Sequence, residues 1–126
     1  MDFKEQSAGP KVMAIHGYGA GAFRISGKRY IGPAIVMADA VHAAGVGAPA
    51  ELSEDNLAPI FSAEPAIELL LIGCGPTITP LAPELEQGLS ARDLAFDLMD
   101  TGAAARTYNV LLMEGRRVAA VLFPVE

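Results

Sequence analysis

The chain has 126 residues, of which 52% are hydrophobic and 19% are charged; it can bury a core and does not have the composition of a disordered protein. Its 9 lysines and arginines against 15 aspartates and glutamates give a net charge of −6, which argues against nucleic-acid binding and a polybasic membrane anchor. One cysteine cannot form an internal disulfide, and 2 histidines are too few for most zinc sites, so we expect no metal and no cofactor.

The first 11 residues are polar and mixed in charge, without the apolar segment of a secretory signal. The apolar runs elsewhere are only a few residues long, whereas a membrane-spanning helix needs about 20 residues. We therefore expect a single domain, residues 1–126, that resides in the cytoplasm and does not insert into a membrane.

Short apolar runs separated by glycine and proline fill the first third of the chain, and such runs predict strands. They lie at 12–15, 22–25, 29–31, 34–37 and 41–44. Ser26-Gly27-Lys28 predicts a tight hairpin turn, because glycine readily adopts the positive φ that such turns require. Pro33 cannot donate a backbone N–H, so we expect it at the start of a strand or at an edge. This part of the chain predicts a mostly antiparallel layer.

A loop rich in glycine and proline at 45–50 precedes a change of pattern. Ser53 is a suitable N-cap, and Leu57 and Ile60 have helical spacing, so we predict a short helix that ends at Pro65.

Three apolar strands that alternate with two helices make up the rest of the chain. The strands are predicted at 67–72, 94–99 and 118–123, and the helices at 81–91 and 102–114. Asp100 or Thr101 would cap the second helix, and Gly115 would end it. Strand–helix–strand units place their strands parallel, so we predict an α/β fold in which N-terminal antiparallel strands are followed by βαβαβ.

In an open parallel sheet, ligands bind at the loops that follow the carboxyl ends of the strands. Here these loops contain the first candidate binding residues: Gly73, Cys74, Gly75, Thr77, Asp100 and Thr101. If the two strands are neighbours, the loops are adjacent, and the backbone N–H groups after Asp100 could hold an anion. The alternative is that Asp100 and Thr101 only cap a helix.

Arg106 and Asn109, together with Met113, share one face of the last predicted helix and complete the candidate site. A guanidinium and an amide one turn apart can bind a carboxylate or a main-chain loop. The alternative is that Arg106 pairs with an acid such as Asp97 or Asp100 and that Asn109 hydrogen-bonds within the fold.

No set of residues predicts catalysis. Cys74 could be a reactive thiol, but neither histidine is near it in sequence, and a small residue in a tight strand exit is the simpler interpretation. The glycine-rich stretch 17–21 does not have the third glycine that a dinucleotide-binding loop requires. Asp97 and Asp100 are the two carboxylates that could form an acid–base pair.

Several stretches resemble the small α/β domain family of uncharacterised bacterial proteins that includes mitochondrial complex I (NADH dehydrogenase) assembly factor 3. The resemblance covers about residues 13–124, and its most specific part is 99–109, Met-Asp-Thr-Gly-Ala-Ala-Ala-Arg-Thr-Tyr-Asn. Further similar stretches are 18–19, 30–32, 70–75 and 114–118. The resemblance implies three layers with a mixed central sheet and no established catalytic activity. This chain departs from it at Cys74, where relatives often have threonine, and at 41–44, where many have tryptophan.

Three hypotheses follow for the function. The first is a non-enzymatic binding protein with a protein partner, namely an assembly factor related to complex I assembly. The alternative is a binder of, or enzyme for, an anionic metabolite in the crevice near Arg106 and Asp100. The third is a homo-oligomer whose exposed apolar surface is its own contact.

Overall fold

The computed structural model describes residues 12–126. Its strands are β1 (Ile15–Gly19), β2 (Ala22–Ile25), β3 (Lys28–Ile31), β4 (Ala34–Met37), β5 (Ala40–Ala43), β6 (Leu69–Gly73), β7 (Ala95–Met99) and β8 (Val118–Leu122). Its α-helices are α1 (Ala58–Phe61), α2 (Pro83–Ala91) and α3 (Thr101–Met113), and short 3₁₀ helices cover Pro49–Glu51 and Glu54–Leu57. The N-terminal segment 1–11, in which we expect no secretory signal, lies outside the described residues.

The first three strands form an antiparallel sheet of their own, in the order β1-β2-β3. Ser26 and Gly27 have φ angles of 50° and 83°, and this two-residue turn joins β2 to β3 where the hairpin was predicted. Gly32, with a φ of 88°, then precedes Pro33, and the chain leaves this sheet there. The N-terminal strands therefore divide between two sheets, whereas the sequence predicted one layer.

The central sheet has five strands in the order β5-β4-β8-β6-β7. β4 pairs antiparallel with both β5 and β8, while β6 lies between β8 and β7 and is parallel to both. Strands from the two halves of the chain thus share one mixed sheet. The predicted α/β fold with a mixed central sheet is confirmed.

The two faces of the central sheet border separate hydrophobic cores. Along β8, Ala119 and Val121 face a core that also contains residues of α1 and α2, whereas Val118, Ala120 and Leu122 face one with residues of α3 and β2. This alternation explains why every residue of β8 is apolar and buried. The layers are α1 with α2, the five-stranded sheet, and α3 with the three-stranded sheet.

Among the helices of residues 12–126, none combines the length and apolarity that crossing a lipid bilayer would require.

Candidate functional site

The loops after β6 and β7 lie side by side, because the parallel register pairs Gly73 with Met99 at the carboxyl ends of the two strands. The backbone N–H of Cys74 donates to the carbonyl of Met99 at 2.8 Å, and that of Thr101 donates to the carbonyl of Gly75 at 2.9 Å. The two loops are therefore in direct contact through backbone hydrogen bonds.

The Thr101 side chain is fully buried and joins three strand ends. Its hydroxyl donates to the carbonyl of Phe123 at 2.6 Å and accepts from the backbone N–H of Gly75 at 2.8 Å. The N–H of Phe123 in turn donates to the carbonyl of Gly73 at 2.9 Å. This hydroxyl is both a donor and an acceptor within the fold, and its position holds the carboxyl ends of β6, β7 and β8 together.

Gly73 shows how closely α3 approaches the end of β6. A Cβ atom at Gly73 would lie 3.0 Å from the Cα of Thr101, 3.0 Å from a methyl carbon of Leu122 and 3.1 Å from the Cβ of Ala104. These distances are shorter than normal carbon–carbon contacts. The first turn of α3 therefore packs directly against the end of β6.

Asp100 is the N-cap of α3, whereas Thr101 is the first residue of the helix and does not cap it. Its carboxylate accepts a hydrogen bond from the backbone N–H of Ala103 at 2.9 Å. The negative charge at this helix N-terminus thus comes from the chain itself.

The remaining residues of the two loops differ in exposure. Cys74 is buried, and its thiol faces the carbonyls of Ile72 and Thr79 at 3.8 and 3.6 Å. Thr77 is exposed to solvent. No group of three or more histidine, cysteine or acidic side chains within residues 12–126 could hold a metal ion.

Arg106 and Tyr18 converge above Gly102, where the absence of a side chain makes room for them. A Cβ atom at Gly102 would meet the Tyr18 hydroxyl oxygen at 2.5 Å and an Nη atom of Arg106 at 3.2 Å. Both side chains are exposed to solvent. The salt bridges within residues 12–126 involve Arg92, Arg116 and Arg117 but not Arg106.

Asn109 points toward β1 and hydrogen-bonds to its backbone. Its side-chain N–H donates to the carbonyl of Ile15 at 2.6 Å, and its side-chain oxygen accepts from the N–H of Ile15 at 2.9 Å. The neighbouring Tyr108 hydroxyl donates to the carbonyl of Met13 at 2.9 Å. Burial, and secondarily the charge of Asp39, raise the pKa of Tyr108, which keeps this donor protonated.

The outward face of α3 carries Arg106, Val110 and Met113, spaced by four and three residues. Val110 is 55% exposed and Met113 is 82% exposed, while Ala104, Tyr108 and other residues of the opposite face are buried. Sequence reasoning placed Arg106 and Met113 together but did not include Val110. The helical spacing of these residues could have identified it.

The fold and these contacts define a class: a three-layer α/β protein whose strand-exit loops are bonded to each other and whose last helix presents an arginine beside exposed apolar side chains. The model of a family described as a protein of unknown function (DUF498/DUF598) matches residues 15–123. The chain belongs to this family.

The comparisons with individual proteins confirm the resemblance predicted from the sequence. An uncharacterized protein of Rhodobacter capsulatus is 39% identical over 113 residues, which are 90% of this chain and 86% of that protein. The mouse protein named NADH dehydrogenase [ubiquinone] 1 alpha subcomplex assembly factor 3 is 32% identical over 119 residues, 94% of this chain. The chain spans 64% of the length of that mouse protein.

A solved structure has the same fold over nearly its whole length. It is described as an outer membrane protein from Bartonella henselae, is 38% identical, and superposes with a TM-score of 0.83. The match covers 93% of this chain and 98% of that chain.

Proposed function

We propose that the chain is a non-enzymatic binding protein that assists the assembly of a respiratory NADH dehydrogenase, and that it works in the cytoplasm. We further propose that its protein partner binds the α3 surface, which we define as Tyr18, Arg106, Val110 and Met113. The observation that carries this proposal is the exposure of Val110 and Met113 on the same helix face as Arg106.

The composition of the α3 surface supports a protein partner. Tyrosine, methionine and arginine are enriched at protein–protein interfaces relative to the rest of a protein surface. Single exposed apolar side chains are common, but here two lie one turn apart on a helix whose other face is buried. The mouse relative is named as an assembly factor, and this agrees with a binding rather than a catalytic role.

The candidate residues predicted from the sequence contribute unequally to this proposal. Arg106 and Thr77 are exposed and can contact a partner directly. The other candidates are glycines in the two loops or have side chains that contact groups within the fold: Gly73, Cys74, Gly75, Asp100, Thr101 and Asn109.

Affinity capture from the organism that produces this chain tests the proposal. We expect the wild-type chain to co-purify with subunits of NADH dehydrogenase, and we expect Met113→Glu and Arg106→Glu to lose them. Arg92→Glu is the matched control, because Arg92 is an exposed arginine in an ion pair with Glu54 outside the α3 surface. Failure of the wild type to capture any such subunit would contradict the assembly role. If all variants captured these subunits equally, the proposal that the partner binds the α3 surface would be wrong.

The alternative function, binding or conversion of an anionic metabolite near Arg106 and Asp100, receives less support from the geometry. The carboxylate of Asp100 occupies the N–H of Ala103, and Thr101 is fully buried. A thermal-shift screen with carboxylates and phosphates tests it, because a ligand that binds the native state raises the unfolding midpoint.

Sedimentation of the purified chain tests the third hypothesis, in which the α3 surface contacts a second copy.

A further inference from the structure

A cavity of about 590 Å³ opens at the amino ends of β6 and β8, at the opposite end of these strands from the loops described above. It borders the residues that lead into β6 and β8, the β4–β5 hairpin and the segment 59–65 after the start of α1. Its volume lies within the range of roughly 300–1,000 Å³ that is typical of small-molecule sites.

The walls of the cavity are largely apolar and are built by both hydrophobic cores. Met37 belongs to the core on the α1 and α2 side, while Leu112 and Val118 belong to the core on the α3 side. Pro59 and Ile67 add further apolar surface. Met37, Leu112 and Val118 are themselves buried, whereas Pro59 and Ile67 are only partly buried. An apolar group of a ligand would therefore leave water for contacts with the carbon atoms of Pro59 and Ile67.

Two arginines that line the cavity are held in place by hydrogen bonds within the fold. Arg116 donates through Nε to a carboxylate oxygen of Glu68 at 2.8 Å, and Arg117 donates through Nε to the carbonyl of Ala66 at 2.7 Å. An Nη atom of Arg117 lies 3.8 Å from the second oxygen of Glu68, too far for a hydrogen bond. The two guanidinium groups thus share one carboxylate.

Asp39 and Glu64 also line the cavity, but they are placed differently from the arginines. Both are exposed, and neither carboxylate accepts a hydrogen bond within the described residues, so both can turn toward water. The Nη groups of Arg117 make no hydrogen bond within that same part of the chain, while its Nε is fixed on Ala66. A planar guanidinium held in this way matches the two oxygens of a carboxylate.

We propose that this cavity binds a small apolar molecule that carries a carboxylate. The apolar part packs against the partly buried Pro59, Ala63 and Ile67, and the carboxylate meets the Nη groups of Arg117. This site is separate from the α3 surface and does not depend on the assembly role.

Matched eight-carbon probes test the proposal with the full ¹⁵N-labelled chain: octanoate, octanol and octylamine. We expect octanoate and octanol to shift the amide resonances of Ala40, Ala63 and Gly115, which line the cavity, and we expect octanoate to bind more tightly. Absence of shifts with octanoate and octanol at saturating concentration would overturn the site. If octylamine bound more tightly than octanoate, the proposal that the ligand carries a carboxylate would be wrong.

Two kinds of variant locate the binding. Arg117→Gln should weaken octanoate about tenfold or more, as expected for a charge-assisted hydrogen bond, and leave octanol unchanged. Arg92→Gln is the control, since Arg92 and Arg117 are similarly exposed, at 47% and 51%, and Arg92 lies outside this cavity. Equal affinities of octanoate for all three chains would overturn the role of Arg117.

Ala63→Phe should fill the cavity and abolish binding of both octanoate and octanol. Ala38→Phe, at an exposed position in the β4–β5 turn that also lines the cavity, provides the same test should Ala63→Phe fail to fold. If a folded Ala63→Phe or Ala38→Phe chain bound octanol as tightly as the wild type, the proposed binding in this cavity would be wrong.

Discussion

The buried hydroxyl group of Thr101 forms hydrogen bonds with two backbone groups that water does not reach. Thr101→Val keeps the shape of the side chain but leaves the N–H of Gly75 and the carbonyl of Phe123 without partners. We expect the free energy of unfolding to fall by about 3 kcal/mol, measured by urea denaturation. Thr77→Val, the same change at an exposed position, should alter it by less than about 0.5 kcal/mol. Similar losses in both variants would contradict the role of the Thr101 hydroxyl.

The glycine at the end of β6 is required by close packing. Gly73→Ala would place a methyl group 3.0 Å from the backbone of Thr101, which cannot move without shifting α3. We expect a loss of about 1–3 kcal/mol in the free energy of unfolding, the usual cost of overpacking. Gly17→Ala is the control in β1, because a Cβ there would meet no atom within 4 Å. A Gly73→Ala variant as stable as Gly17→Ala would show that the loops have more room than the structure gives them.

These residues also show what the sequence could and could not predict about the candidate site. The small residues around Cys74 and the polar residues around Asp100 indicated two strand-exit loops, and the loops are there. Whether they hold a ligand or each other depends on how near α3 comes to β6. That distance is determined by packing across the whole layer, for which a local pattern contains no information.

At the scale of elements, Asn109 attaches α3 to the three-stranded sheet through both backbone groups of Ile15. Asn109→Ala removes both hydrogen bonds and leaves one edge of β1 without a partner at this position. We expect a loss of about 2 kcal/mol in the free energy of unfolding and faster hydrogen exchange of the Ile15 amide. Val110→Ala, one residue further along α3 at an exposed position, should leave that exchange rate unchanged. Unaltered protection of Ile15 in Asn109→Ala would contradict this attachment.

Most elements could be predicted because the local pattern and the final environment agree. The run 118–123 is apolar at every position, as a strand between two cores requires, and Ser26-Gly27 has the turn chemistry of a hairpin. The division of the N-terminal strands between two sheets could not be predicted in this way. β4 pairs with β8, more than 80 residues away in sequence, and only the completed core makes that pairing favourable.

At the scale of the whole molecule, the cavity at the amino ends of β6 and β8 illustrates the same limit. Its lining residues come from α1, α3, the β4–β5 hairpin and the start of β8. No sequence motif indicates that these segments meet at one cavity. In the sequence, Arg116 and Arg117 are two adjacent charged residues between α3 and β8. Their position beside an apolar cavity follows only from the order of the strands in the central sheet.

Tyr108 depends on several parts of the molecule at once. Its ring is buried in the core between the central sheet and α3, its hydroxyl donates to Met13, and the charge of Asp39 acts on it from the β4–β5 hairpin. Burial and that charge both oppose ionisation, so the pKa of Tyr108 is raised in the folded chain. In the unfolded chain the pKa returns to about 10.

Stability should therefore fall in alkali as the unfolded state, but not the folded state, releases this proton. The stability due to the neutral Tyr108 is complete below pH 10 and is lost progressively as the pH rises above it. Between pH 9 and 11 we expect the free energy of unfolding of the wild type to fall by about 1.4 kcal/mol more than that of Tyr108→Phe, measured by urea denaturation. Tyr18→Phe is the control, because Tyr18 is exposed, and it should follow the wild type. Parallel pH profiles of wild type and Tyr108→Phe would mean that water reaches the Tyr108 hydroxyl and that the contact between Tyr108 and Met13 is open in solution.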